Sequence, residues 1–164
     1  MKPKFTQEFL KKYLSYNPLT GIFTKKTQAP NSNIGDVAGG KQGKGYLVLC
    51  VGGNPGYLLH RVAWLYVYGY WPKSQIDHIN RVVTDNRISN LREATRTENY
   101  QNKGAQKNSK TGVKGVSLRN GRYVVQICDD GVRKHLGQFG DIKTAAKRYA
   151  DEVAIRRPIF GAVA

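Results

Sequence analysis

Cysteine, methionine and acidic residues are scarce in this chain. Of 164 residues, two are Cys, one is Met and 11 are Asp or Glu. Cys50 and Cys128 match no metal-ligand spacing, and no Cys-x-x-Cys pair occurs, so no structural zinc is expected. Both cysteines fall in strand-like runs and read as reduced core residues. Long apolar runs are missing too. No stretch approaches the roughly 18 residues of a membrane-spanning helix, and Met1–Phe5 carries no signal-peptide hydrophobic region. The expectation is a soluble, cytoplasmic protein that is not secreted and has no membrane partner.

Positive charge is abundant. Lys and Arg total 27, for a net charge of +16. Residues 1–103 hold 15 basic and 6 acidic residues, and residues 104–164 hold 12 and 5. The excess is therefore spread along the chain rather than gathered in a tail. Nucleic acid is the leading partner, with a ribosome-associated or membrane-surface protein as the alternative. At 40% apolar, the chain can build one core or two thin ones.

Residues 6–14 read as a short helix capped by Thr6, with Phe9, Leu10 and Tyr13 on one face. A turn at residues 16–21 leads into a strand from Gly21 to Thr24. Residues 28–44, rich in Gly, Asn and Gln, read as a loop. A strand over Tyr46–Val51, a hairpin turn at Gly52–Gly56 and a strand from Tyr57 to Leu59 follow. Helical spacing runs from His60 to Tyr68. Ile76–Ile79 is a short strand, and residues 80–92 form a long turn with a second extended arm. Thr95 and Glu98 have the spacing of a capping box, which puts Asn99 in the first turn of a helix.

The chemistry concentrates at Ile76-Asp77-His78-Ile79-Asn80. Asn90 and Asn99 follow 12 and 21 residues after His78. An imidazole titrating near pH 6.5 takes a proton from water at neutral pH. A carboxylate and an amide oxygen suit a hard divalent cation. Together they are the parts of a one-metal phosphodiesterase. Asp77 and His78 are neighbours on a strand and point to opposite faces unless they straddle a strand end. A salt bridge from Asp77 to Arg87 or Arg92 is the alternative role for that carboxylate.

The runs "LHRVAWLYVYGYWP" (59–72), "IDHIN" (76–80) and "DNRISNLREATRTENYQN" (85–102) resemble the HNH endonuclease family. The match is to its phage and homing type, with Asn in place of the last His. The resemblance implies a ββα-metal fold over residues 1–103. It makes His78 the general base, Asp77 and Asn99 the ligands of Mg²⁺ or Mn²⁺, and Asn90 the residue that ties the long turn near His78. His60 and Arg61 match the family's "HR" pair. Two readings stand for them: facing the scissile phosphate, or, for His60, packing in the core. Family members often carry Gly where this chain has Arg81, followed by Val82 and Val83, so an altered turn and reduced activity are to be watched for.

Residues 104–112 read as a basic linker. Beyond it, three strand-like runs within residues 113–139 are separated by Asn120-Gly121 and Asp129-Asp130-Gly131. Asp141 then caps a helix with apolar residues at Ile142, Ala145, Ala146, Tyr149, Ala150 and Val153. The segments "KGVSLRNGRYVVQI" (114–127), "HLGQF" (135–139) and "AAKRYA" (145–150) resemble the plant ethylene-response-factor (Apetala-two) DNA-binding domain. That implies a three-stranded antiparallel sheet packed on one helix over residues 113–164. DNA contacts would come from Lys114, Ser117, Arg119, Arg122, Tyr123, Gln126 and His135. Departures from the family at Ser117, Tyr123, Cys128 and His135 mean that base preference does not carry over.

The combined expectation is an α+β, two-domain DNA endonuclease that nicks double-stranded DNA as a monomer or weak dimer. If phage-encoded, it acts in the host cytoplasm. The alternative is a DNA-binding regulator with a degenerate nuclease domain. An RNA-binding role is disfavoured, because the RNA major groove is too narrow for a sheet to read.

Overall fold

A computed structural model describes residues 5–28, 30–43, 45–50, 56–129 and 131–156. It is an α+β structure in two compact units, Met1–Thr95 and Arg96–Ala164. Among the described residues, no helix is long and apolar enough to cross a membrane. Most of the hairpin turn expected at Gly52–Gly56 lies outside the described residues.

The first unit opens with α1 (Gln7–Tyr13), where Thr6 Oγ1 accepts the Phe9 N–H at 3.1 Å. Strands β1 (Leu14–Asn17), β2 (Ile22–Lys25) and β3 (Val37–Ala38) form one antiparallel sheet. Strands β4 (Gly40–Gln42), β5 (Tyr46–Leu49) and β6 (Tyr57–Leu58) form another. β3 and β4 lie where the sequence reads as loop. They are two and three residues long, too short for alternation to register. α2 (Leu59–Tyr68) buries Leu59, Val62, Ala63 and Leu65 among Leu10, Phe23 and Leu49. At the end of the unit, β7 (Gln75–His78) pairs antiparallel with β8 (Leu91–Ala94), with a 3₁₀ turn at Ile88–Asn90 between them.

The second unit starts with α3 (Arg96–Asn102). Residues 103–112 carry no helix or strand. The end of that stretch is tied down: Thr111 Oγ1 donates to the Val116 carbonyl at 2.8 Å. β9 (Val116–Arg119), β10 (Arg122–Asp129) and β11 (Val132–Phe139) follow, in the spatial order β11-β10-β9. α4 (Ile142–Arg156) packs on one face of this sheet. Asp141 caps it through a 2.8 Å bond from the Thr144 N–H. Val116, Val125 and Ala145 make the centre of the core, joined by Tyr123, Leu136, Phe139 and Tyr149. Gly115 permits this packing: at φ +74°, a Cβ there would meet the Tyr149 ring at 2.0 Å.

Two expectations need correction. Cys50 and Cys128 are exposed, not core. Cys50 lies just past the end of β5, and Cys128 alternates with the inward-facing Ile127. The apolar stripe of α4 is also interrupted, because Glu152 is buried at 6% exposure. Its carboxylate meets Arg148 at 2.9 Å, Lys134 at 3.7 Å, and Arg156. Hydrogen bonds from Arg156 and then Arg148 hold its pKa down to about 2. A carboxylate depressed below its unfolded value of 4.5 stabilises the fold above that pH and loses the contribution as pH falls through about 2. Glu152→Gln is therefore expected to lower the thermal midpoint at pH 7, with the gap to wild type closing on acidification. Thermal melts across pH check this, and a gap that does not change with pH would contradict it.

Candidate active site

β7 and the long turn after it bring the polar cluster together. His78 ends β7 and is buried at 4% exposure, and Asp77 before it is buried at 5%. Burial lowers the His78 pKa, opposed by its hydrogen bond to Asn86 and by the charges of Asp77 and Asp85. The imidazole is therefore held neutral and able to accept a proton.

The turn is laced by side-chain amides. Asn90 Oδ1 accepts the Asn80 N–H at 2.9 Å, while Asn90 Nδ2 donates to Asn80 Oδ1 at 3.0 Å and to the Asp85 carbonyl at 2.8 Å. Asn80 Nδ2 donates to Asp85 Oδ2 at 2.6 Å, and Arg87 reaches the same carboxylate at 2.6 Å. These contacts, Arg87 foremost, push Asp85 down to about 2. Arg81 occupies the left-handed region at φ 64°, where the resembled family often has Gly. The turn thus keeps that backbone shape with a side chain present, at a cost on the order of 1–2 kcal/mol.

Asp77 and Arg92 are cross-strand partners. Arg92 Nη2 and Nε donate to Asp77 Oδ2 at 2.8 and 3.0 Å. This is one of the two ion pairs named above as the alternative for Asp77. Any cation at Asp77 must share the carboxylate with Arg92 or displace it. The donor chemistry still fits a hard divalent ion, since buried carboxylate and amide oxygens are its preferred ligands. Among the described residues, no group of three or more His, Cys, Asp or Glu gathers as a metal site.

His60, at the start of α2, is 4% exposed and packs edge-on against His78, with ring centroids 4.9 Å apart. Burial, then His78 and Arg61, lower its pKa to about 3, so it is uncharged at neutral pH. Its Nδ1 has no hydrogen-bond partner among the described residues. Arg61 donates to the carbonyls of Ser74 and Pro72, both at 3.1 Å, and so ties α2 to the entry of β7. Both residues of that pair are thus engaged inside the fold.

Asn86 escaped sequence reasoning. It is 1% exposed, and its Oδ1 lies 3.1 Å from His78 Nε2. The signal was available in Asp85-Asn86-Arg87, because a long turn returning to its own strand brings its middle near the strand end. Asn99 sits on α3 and so belongs to the second unit.

In the second unit, five of the seven expected DNA contacts share the sheet face away from α4. Strand register places Ser117 opposite Val124, Arg119 opposite Arg122, and Gln126 opposite His135. The other two differ. Tyr123 packs with the core on the α4 side. Lys114 Nζ donates to the carbonyls of Tyr100, Gln101 and Lys103 at 3.1, 2.7 and 2.6 Å, capping the end of α3.

The family model of the HNH endonucleases matches residues 57–101. The match runs from β6 to α3 and contains Asp77, His78, Asn86, Asn90 and Asn99. It supports an HNH nuclease. No curated protein and no solved structure matches the chain.

Proposed function

We propose that this chain is a metal-dependent DNA endonuclease of the HNH type, phage or homing class, cutting double-stranded DNA. The observation that supports it most is a buried, neutral His78 held by the Asn86 amide and adjacent to a buried Asp77.

His78 takes a proton from a water molecule, and the resulting hydroxide attacks the phosphorus in line. The P–O bond to the leaving 3′-oxygen breaks, and that oxygen is protonated from solvent. A divalent cation, Mg²⁺ or Mn²⁺, for which Asp77 would be one ligand and Asn99 the second that the family resemblance implies, would offset the negative charge that develops on the phosphate and the leaving oxygen. Asn90 keeps the turn closed behind His78. Arg92 neutralises Asp77 while no cation is there. With one such site per chain, a monomer nicks one strand.

The second unit is proposed as an Apetala-two-type DNA-binding domain. Arg119 and Arg122 lie directly opposite each other across β9 and β10, and both are exposed. Like charges in that position destabilise a sheet, and a bound phosphate relieves the repulsion. Ser117, Gln126 and His135 complete the face. The double change Arg119→Ala and Arg122→Ala is expected to weaken DNA binding by up to a few kcal/mol. It should also reduce the slope of log K against log salt by about 2. Band shifts across a salt series measure both, and an unchanged slope would move the DNA site elsewhere.

A further inference from the structure

We propose that the stretch between α3 and β9 is a backbone-phosphate site for duplex DNA, formed by Lys103, Lys107 and Lys110 beside the sheet of the second unit. The inference rests on the DNA-binding reading of that unit and deepens it. It adds to the contact surface a segment that the sequence marks only as a linker.

That segment and the sheet line a cavity of about 990 Å³. Lys103, Lys107, Lys110, Lys114, Arg119 and Arg133 are among its walls, and no Asp or Glu is. All of these cations but Lys114 are exposed. The ion pairs described in this unit gather around α4 instead: Asp151 with Lys147, Glu152 with Arg148 and Arg156, and Asp129 with Arg156. Paired carboxylates and cavity cations are thus segregated. Positive charge left without counter-charge along a concave surface focuses a field that draws in a polyanion. Each backbone phosphate neutralised there releases condensed counterions, which drives binding.

The cavity is continuous with the proposed DNA face. Ser117, Arg119 and Gln126, on the side of the sheet away from α4, line it as well. Its lysines sit on a folded segment. The Ser109 N–H donates to the Gln106 carbonyl at 2.9 Å, closing a turn around Lys107. Thr111 Oγ1 anchors the far end on the Val116 carbonyl, and Lys114 Nζ anchors the near end on the Gln101 and Lys103 carbonyls. A segment already folded loses less entropy on binding than a free linker does. Among the described residues, neither the Lys107 nor the Lys110 side chain donates a hydrogen bond or meets a carboxylate, so both ammonium groups are open to phosphate.

Band shifts of the full chain on duplex DNA in EDTA, across a salt series, test this. Lys107→Ala plus Lys110→Ala is expected to lower affinity about tenfold at physiological salt, and to make the slope of log K against log salt shallower by about 2. Lys143→Ala plus Lys147→Ala removes the same charge from α4, which packs on the other face of the sheet, and should leave the slope unchanged. All four lysines are exposed, so both variants keep the fold. A wild-type slope in the Lys107 and Lys110 variant would overturn the proposal and make the stretch a solvated connector. Equal losses from both pairs would overturn it too, since net charge alone would then account for the effect. So would a loss seen only on a single strand of the same sequence, which would make the cavity a single-strand site. Failure of the wider reading looks different: a wild-type chain that shifts no duplex at any salt defeats the DNA-binding reading and this site with it. A slope lost in the Arg119 and Arg122 variant but kept in the Lys107 and Lys110 variant removes this site alone.

Discussion

His78→Ala should reduce the rate of Mg²⁺-dependent DNA cleavage by at least about a hundredfold, the usual range for loss of a general base being 10²–10⁴. DNA binding should persist, because the exposed arginines of the second unit are untouched. The direction of the His78 pKa adds a pH signature. Burial lowers it, so the neutral base survives below the ordinary imidazole midpoint. Activity should therefore hold as pH falls past about 6.5 and decline only as the lowered pKa is crossed. Initial rates on a plasmid between pH 5 and 8 give the profile. A substantial residual rate in His78→Ala would hand the base role to another group. His60 is a poor substitute, since its Nδ1 is buried and its pKa sits at about 3.

Asp77→Asn carries the second large effect. Removing the carboxylate should cost at least two orders of magnitude in cleavage, on the order of 3 kcal/mol in the transition state. It should also weaken Mn²⁺ binding measured by calorimetry. The same change strips Arg92 of its partner, and breaking a buried pair by removing one member costs about 3–5 kcal/mol of stability. Arg92→Met separates the two consequences. It loses the ion pair but keeps the carboxylate, so divalent-metal affinity should hold or rise while the melting temperature changes. If Asp77→Asn cleaves at the wild-type rate, Asp77 is a structural ion-pair residue and the metal sits elsewhere.

Much of this architecture was legible in the chain, and the exceptions have physical causes. α1 announced itself through Thr6, α4 through Asp141, and the β9–β10 hairpin through Asn120-Gly121. These are local signals, carried by residues whose own side chain or backbone makes the turn. β3 and β4 were hidden because they are only two and three residues long, too short to show strand periodicity. Glu152 was unreadable as a buried residue, since only the tertiary arrangement gathers Arg148, Arg156 and Lys134 around it. Tyr123 is different. It alternates with Arg122 and shares parity with Val125 and Ile127, so strand periodicity already placed it on the core side. In the candidate site, Asp77, His78 and Asn90 stood out by type and spacing. Asn86 did not stand out by type, although its place in the turn that returns to β7 carries the signal; its side chain meets His78 only once the turn has closed.

The most direct measurement is incubation of the wild-type protein with supercoiled plasmid, with Mg²⁺ and with EDTA, at low and physiological salt. Nicked circles that appear with Mg²⁺ and vanish with EDTA are the predicted result, and linear product would indicate paired or successive cuts. A protein that shifts the plasmid in a gel yet leaves it supercoiled under every divalent metal would contradict the nuclease account and make the chain a DNA-binding regulator.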